Sequence, residues 1–197
     1  MNKRQIERYF ETLAEIYPKK CRIVLTGAAA GALYGNVRST MDIDFAATTH
    51  HWEEFAKAVA MTSARMSIEA QFAEDIDRWS SISLIDYQKH TFIYKRFGSI
   101  ELRLMEPAYW AIGKLTRYLD SDIRDMVKVF KKTHTSWNAL ARVTGRALRQ
   151  SPKSTACFLF RRQNEDFFNR SGKKIWGKNF DPKKAIGLFH DTAGIKS

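Results

Sequence analysis

Apolar positions along the chain fall into two regimes, one before and one after Pro107. Ile6, Tyr9, Phe10, Leu13 and Ile16 recur at helical spacing, so residues 3–16 read as an amphipathic helix that Pro18 ends. The apolar run at 22–25, stopped at Gly27, predicts a short strand. The small residues AAAGALYG that follow suit a short helix packed closely on a sheet. After the loop NVRST, MDIDFA predicts a second strand, and residues 52–60 and 67–79 read as helices. Three β-like stretches come next at 81–87, 91–97 and 99–105, with Gly98 in the turn of a hairpin.

Beyond Pro107 the period is helical throughout. Helices are expected over 108–119, over 120–133 with Asp120 or Ser121 as cap, over 136–150 and over 154–169. RSGKKIWGKN reads as a basic loop, and Asp181-Pro182 opens a last helix to about residue 190. The fold class is therefore α+β. A mixed β-sheet flanked by helices occupies 1–105, and a basic all-helical region occupies 106–197.

Charge sharpens this division. Of 33 basic and 21 acidic residues, 14 of each lie in the first 110 positions and cancel; the remainder carries the whole net +12. So asymmetric a distribution suggests a surface for a polyanion, usually nucleic acid. Arg142, Arg146, Arg149, Arg161, Arg162, Lys173 and Lys174 supply the charge. Trp137, Phe167, Phe168 and Trp176 lie among them and could stack on unpaired bases; periodicity equally allows most of these aromatics a core role, the one assigned to Phe158 and Phe160. No apolar run is long enough for a membrane span, and the first twenty residues hold no uninterrupted apolar segment of the signal-peptide kind. Two distant cysteines, Cys21 and Cys157, argue against a disulfide framework, so a cytoplasmic location is expected.

The chemistry is concentrated in LTGAAAGALYGNVRSTMDIDFA, residues 25–46. On a strand, Asp42 and Asp44 share one face with Cα atoms about 6.5–7 Å apart, while Ile43 and Phe45 face the core. Carboxylates held so close repel unless a cation lies between them, and an oxygen-only pair suits Mg²⁺. Upstream, Thr26-Gly27-Ala28 turns from strand to helix and presents backbone N–H groups to a phosphate. Arg38 adds a fixed positive charge four residues before Asp42.

This stretch resembles the signature of the nucleotidyltransferase superfamily with a DNA polymerase β-like fold, in the branch of the AbiEii-type toxins of type IV toxin–antitoxin systems. Gly27-Ala28 stands for the Gly-Gly pair, Ala32-Leu33 for Ala-Leu, Gly35 for the later glycine, Arg38-Ser39-Thr40 for Arg-x-Thr, and Asp42-Ile43-Asp44 for the metal-binding pair. Ala28 departs from the pattern by adding a Cβ. A second stretch, 106–127, is similar to the family's helical segment: Lys114 corresponds to its lysine, and Asp122 and Asp125 to its paired aspartates. Bottom-up, those two aspartates could equally cap and order a helix.

The resemblance implies a nucleotidyltransferase-type sheet and metal-dependent transfer of a nucleoside monophosphate from an NTP. Two Mg²⁺ ions would be held by Asp42, Asp44 and a third acid, for which Asp86 in SLIDY comes first and Glu101 in SIELRL second. Thr26, Gly27, Ala28, Arg38, Ser39 and Lys114 would bind the nucleotide. By analogy with the toxin branch the acceptor is RNA, tRNA foremost, and a cognate antitoxin protein is an expected partner. Competing readings are a small-molecule or protein nucleotidyltransferase, and a nucleotide- or RNA-binding module whose metal site has lapsed.

Overall fold

The computed structural model describes residues 1–35, 40–84 and 86–195, with backbone alone at 78 and 79. Two compact units divide the chain: residues 1–76 with 88–105, and residues 77–87 with 106–197. Segment 77–87 thus groups with the helices, although it falls inside the 1–105 span expected of the sheet-bearing core.

The first unit is a five-stranded mixed sheet with helices. Its elements are α1 (Lys3–Ile16), β1 (Cys21–Leu25), α2 (Gly27–Tyr34), β2 (Asp42–Thr48), α3 (Trp52–Met66), β3 (Glu69–Ala73), β4 (Thr91–Phe97) and β5 (Ile100–Met105). The strand order is β3-β2-β1-β5-β4. The β1–β2 and β4–β5 pairs are antiparallel; β1–β5 and β2–β3 are parallel. A capping box on Asn2 opens α1, with Asn2 Oδ1 accepting from Gln5 N–H and Gln5 Oε1 from Asn2 N–H.

One sheet face carries Ile43, Phe45 and Ala47, all buried. Phe10 of α1 and Phe55 of α3 meet Phe45 edge-on, with centroids 6.0 and 6.2 Å away. These T-shaped contacts lock both helices onto that face. Because side chains alternate, Asp42 and Asp44 project from the other one. Two expectations fail in this region. Residues 67–79 do not form a helix: 69–73 pair with β2 as an edge strand, and Phe72 stacks on Phe45 at 5.5 Å. Only Ile76–Trp79 makes a 3₁₀ turn. Nor do the described residues 81–84 and 86–87 form a strand. Leu84 N–H donates to Asp77 Oδ1 (2.5 Å) and Ser83 N–H to Ser151 Oγ (2.8 Å), so side chains satisfy a backbone that a sheet ladder would otherwise serve.

The second unit holds α4 (Pro107–Arg117), α5 (Asp120–Thr133), α6 (Trp137–Gln150), α7 (Thr155–Trp176) and α8 (Pro182–Ala193). Ser136 Oγ accepts from Ala139 N–H at the start of α6, and Asp181 Oδ1 from Lys183 N–H at the start of α8. At α5 the cap position is Leu119, and Asp122 accepts its N–H, in place of the expected Asp120 or Ser121. Helix α7 continues through the expected basic loop to Trp176. A Cβ on Gly172 would lie 2.0 Å from Phe180 Cε1, so this glycine makes room for a ring and does not break the helix. Trp176 then packs against Phe180 (4.9 Å) and stacks on Phe130 (6.3 Å). No helix among the described residues is long and apolar enough to cross a membrane.

Candidate metal and nucleotide site

Strand β2 begins at Asp42, and both Asp42 and Asp44 are half-buried. Thr40, itself buried, donates from Oγ1 to Asp42 Oδ1 at 2.7 Å and so fixes the orientation of that carboxylate. Asp44 sits where β1 turns into α2. Thr26 N–H donates to Asp44 O (2.9 Å), which extends the β1–β2 ladder by one residue.

Gly27 follows with φ +63°, and a Cβ there would lie 2.4 Å from Asp44 Oδ2. Only glycine tolerates both the left-handed backbone and this approach. The turn at residue 27 therefore lies against the Asp44 carboxylate. Helix α2 starts on the same turn, and the first N–H groups of an α-helix have no intrahelical acceptor. Ala28 is buried, so its contribution there is its backbone. Two oxygen-ligand side chains on one face, one of them fixed by a hydroxyl, beside a helix start fit Mg²⁺ and a phosphate. Arg38 and Ser39 lie outside the described residues.

The third acid is a different matter. Asp86 lies in a left-handed turn (φ +61°) of the second unit, exposed and off any strand, so the strand setting that favoured it is absent. Glu101 is on β5, level with Arg22 and hence with Thr48. Four residues separate that level from Asp44, about 13 Å along the strand. Its carboxylate is held by Arg103 Nη1 (2.8 Å) and Arg96 Nη2 (3.0 Å), whose hydrogen bonds keep it below the usual range. On β5 the positions nearer the pair are Arg103, opposite Val24, and Met105 beyond it. Neither is acidic.

Lys114 does not reach a solvent-facing site. It is 2% exposed, and its Nζ donates to Asp122 Oδ1 (2.9 Å) and Asp125 Oδ2 (3.0 Å) while lying 5.4 Å from the Trp110 ring centroid. Arg117 adds two bonds to Asp122, at 2.7 and 2.9 Å. Burial would raise the Asp122 carboxyl, but hydrogen bonds from Arg117 and Lys114 outweigh it and hold it below its ordinary value. A buried ammonium shared by two carboxylates ties α4 to α5. The paired aspartates take the ordering role that helix capping suggested.

Of the two roles open to the aromatics, packing prevails for most. Phe167 and Phe168 are fully buried. Trp176 donates its indole N–H to Thr135 O (2.8 Å), and Trp137 meets Phe180 edge-on at 6.2 Å. These rings build the helical core. Phe160 is buried as expected, but Phe158 is 58% exposed, with the Arg162 guanidinium 5.8 Å from its ring. The i, i+4 spacing of Phe158 and Arg162 on α7 was the signal available for that pair. Arg142, Arg146 and Arg149, at i, i+4 and i+7, form an exposed stripe along α6.

Compared with known proteins, the chain matches no family model, no curated sequence and no solved structure.

Proposed function

We propose that this protein is a Mg²⁺-dependent nucleotidyltransferase that moves a nucleoside monophosphate from an NTP to an RNA acceptor, tRNA foremost. The toxin of a type IV toxin–antitoxin pair is the biological role that goes with this reading. The observation that carries it is the placement of Asp44 against the Gly27 turn, with Asp42 on the same sheet face.

Asp42 and Asp44 would hold the metal, which when bound neutralises phosphate charge and lowers the pKa of an acceptor hydroxyl. The chain's own groups do the positioning. Thr40 holds the Asp42 carboxylate in one orientation. The first turn of α2 offers backbone N–H groups to a phosphate, and Gly27 lets that phosphate approach without a side chain in the way. Arg38 would add the fixed charge that the signature assigns to it. Lys114 has a structural part in this reading, since its ammonium is already shared between two carboxylates. Positioned charges of this kind can supply most of the acceleration in nucleotidyl transfer.

The test is incorporation of each labelled nucleotide into total RNA and total protein, with and without Mg²⁺. Asp42→Asn should abolish incorporation while leaving the melting temperature within a few degrees; retained Mg²⁺-dependent transfer would defeat the assignment. Label in protein or in a small molecule would move the acceptor to one of those classes.

A second reading is supported by Arg103 and Met105 occupying the β5 positions where a third acid would be expected. In it the same fold binds nucleotide or RNA without transfer. RNA binding that weakens steeply with salt, with no incorporation of any nucleotide, is its signature.

A further inference from the structure

The first unit contains a cavity of about 520 Å³ that the site above does not use. Gln5, Arg8 and Thr12 line it from α1. Their i, i+3, i+7 spacing sets them on one helix face. Arg65, on the last turn of α3, lines the cavity from the second helix, and Thr40 closes it at the entry to β2. We infer that this cavity is a binding site for a phosphate ester, gripped by Arg8 and Arg65 from two helices.

Charge is the first argument. Among the described residues, the side chains that line the cavity include two guanidinium groups and no carboxylate. Arg8 makes no ion pair among the described residues. Arg65 has only a long contact with Glu15 (3.8 Å), both groups about two-thirds exposed, which contributes little to stability. Donors are the second argument. Gln5 Oε1 is engaged by Asn2 N–H, so the amide group of Gln5 is left to donate. The end of α3 carries negative carbonyl dipoles that would oppose an anion. Those of Ser63 and Ala64 are occupied by Ile68 and Ser67 N–H, which reduces that opposition.

Shape is the third. A volume of this size suits a small organic phosphate. Guanidinium forks approaching from separate elements match the several oxygens of a phosphate better than the two of a carboxylate. Met41, 91% exposed, and Met66 add soft apolar surface for the organic part. The source of the phosphate is a nucleotide or the backbone of an RNA strand. Because Thr40 also bonds Asp42, a ligand here lies one side chain from the carboxylate pair. The inference does not depend on transfer chemistry at that pair.

The cavity supplies its own reporters. Of six methionines, Met41 and Met66 line it with Met1, whereas Met105 and Met126 are buried elsewhere. The full chain with labelled methionine methyls is titrated with inorganic phosphate, AMP and an RNA of about five nucleotides. Chelator is present, so that no divalent cation reaches Asp42 and Asp44. Saturable shifts of the Met41 and Met66 methyls, with Met105 and Met126 unmoved, are expected. Arg8→Gln and Arg65→Gln should each weaken that binding about tenfold or more. Unmoved Met105 and Met126 resonances in the variants show that the fold is kept. Tighter binding of the RNA than of AMP assigns the phosphate to a strand; the reverse order assigns it to a free nucleotide. The proposal is overturned if no probe moves Met41 or Met66 at millimolar concentration, or if both variants bind as the parent does.

Discussion

At Gly27 a left-handed backbone and a close side-chain approach coincide, so its replacement acts twice. Gly27→Ala meets the left-handed penalty of about 1–2 kcal/mol. It also drives a methyl group into the space of Asp44 Oδ2, so the carboxylate must swing away. We expect a loss of about that size in denaturant unfolding, and a much larger fractional loss of Mg²⁺ affinity measured by titration. Equal Mg²⁺ affinity in parent and variant would show that Asp44 is not a metal ligand.

Lys114 presents the opposite case, a charge whose role is internal. Lys114→Met leaves Asp122 and Asp125 buried without their shared ammonium, and removing one member of a buried ionic cluster costs about 3–5 kcal/mol. Asp122 also makes stability depend on pH. Its folded-state pKa is depressed below 3.8, so the stabilisation it brings is complete above that value and is lost as pH falls beneath it. Asp122→Asn should flatten the acid limb of a stability–pH curve below about pH 4, seen as a weaker fall in urea midpoint. An unchanged limb would assign acid unfolding to other carboxylates.

At the scale of elements, α7 shows how a local signal and a tertiary one can disagree. Helix propensity favours Ala over Gly by about 1 kcal/mol. A Cβ at 172 nevertheless overlaps the Phe180 ring at 2.0 Å, and overpacking of this kind costs about 1–3 kcal/mol. Gly172→Ala should therefore lower Tm, and a smaller ring-to-methyl change in the same background, Phe180→Leu, should recover part of the loss. A variant more stable than the parent would mean the ring moves aside freely.

The same contrast explains what the sequence disclosed. Periodicity places α1 and the caps of α6 and α8, because the apolar stripe and the capping side chain are local. Strand β3 was hidden, since EAQFA is built of good helix formers and only pairing with β2 and the stack on Phe45 make it extended. The sequence of 81–87 alternates like a strand, yet Ser151 and Asp77 accept the N–H groups of Ser83 and Leu84. In the candidate site, the shared face of Asp42 and Asp44 follows from a period of two. Register and burial do not: Glu101 stands four residues away from Asp44, and Lys114 is enclosed by residues eight and eleven positions on.

For the whole molecule, the decisive quantity is where the excess positive charge is spent. Net +12 resides in the part of the chain that follows residue 110, and much of the aromatic surface once available for stacking has gone into the helical core. The exposed features include the Arg142, Arg146, Arg149 stripe of α6, the Phe158–Arg162 pair of α7, and Lys173 and Lys174 near its end. In the proposed function these features would make separable contributions to RNA binding. Replacing all three arginines by Gln should reduce the slope of log K against log salt by about 2, at about 0.7 per lost contact with a single strand. Phe158→Ala should leave that slope alone and weaken binding uniformly by about 1–3 kcal/mol, the value of one stacked base. Both changes fall on exposed side chains, so the parent Tm should persist. Asp42→Asn, measured without Mg²⁺, should alter neither quantity, because the arginine stripe and Phe158 lie on α6 and α7 and the Asp42 carboxylate on β2. An unchanged slope in the triple variant would place the RNA on another surface, and would leave the charge asymmetry between the two parts of the chain without this explanation.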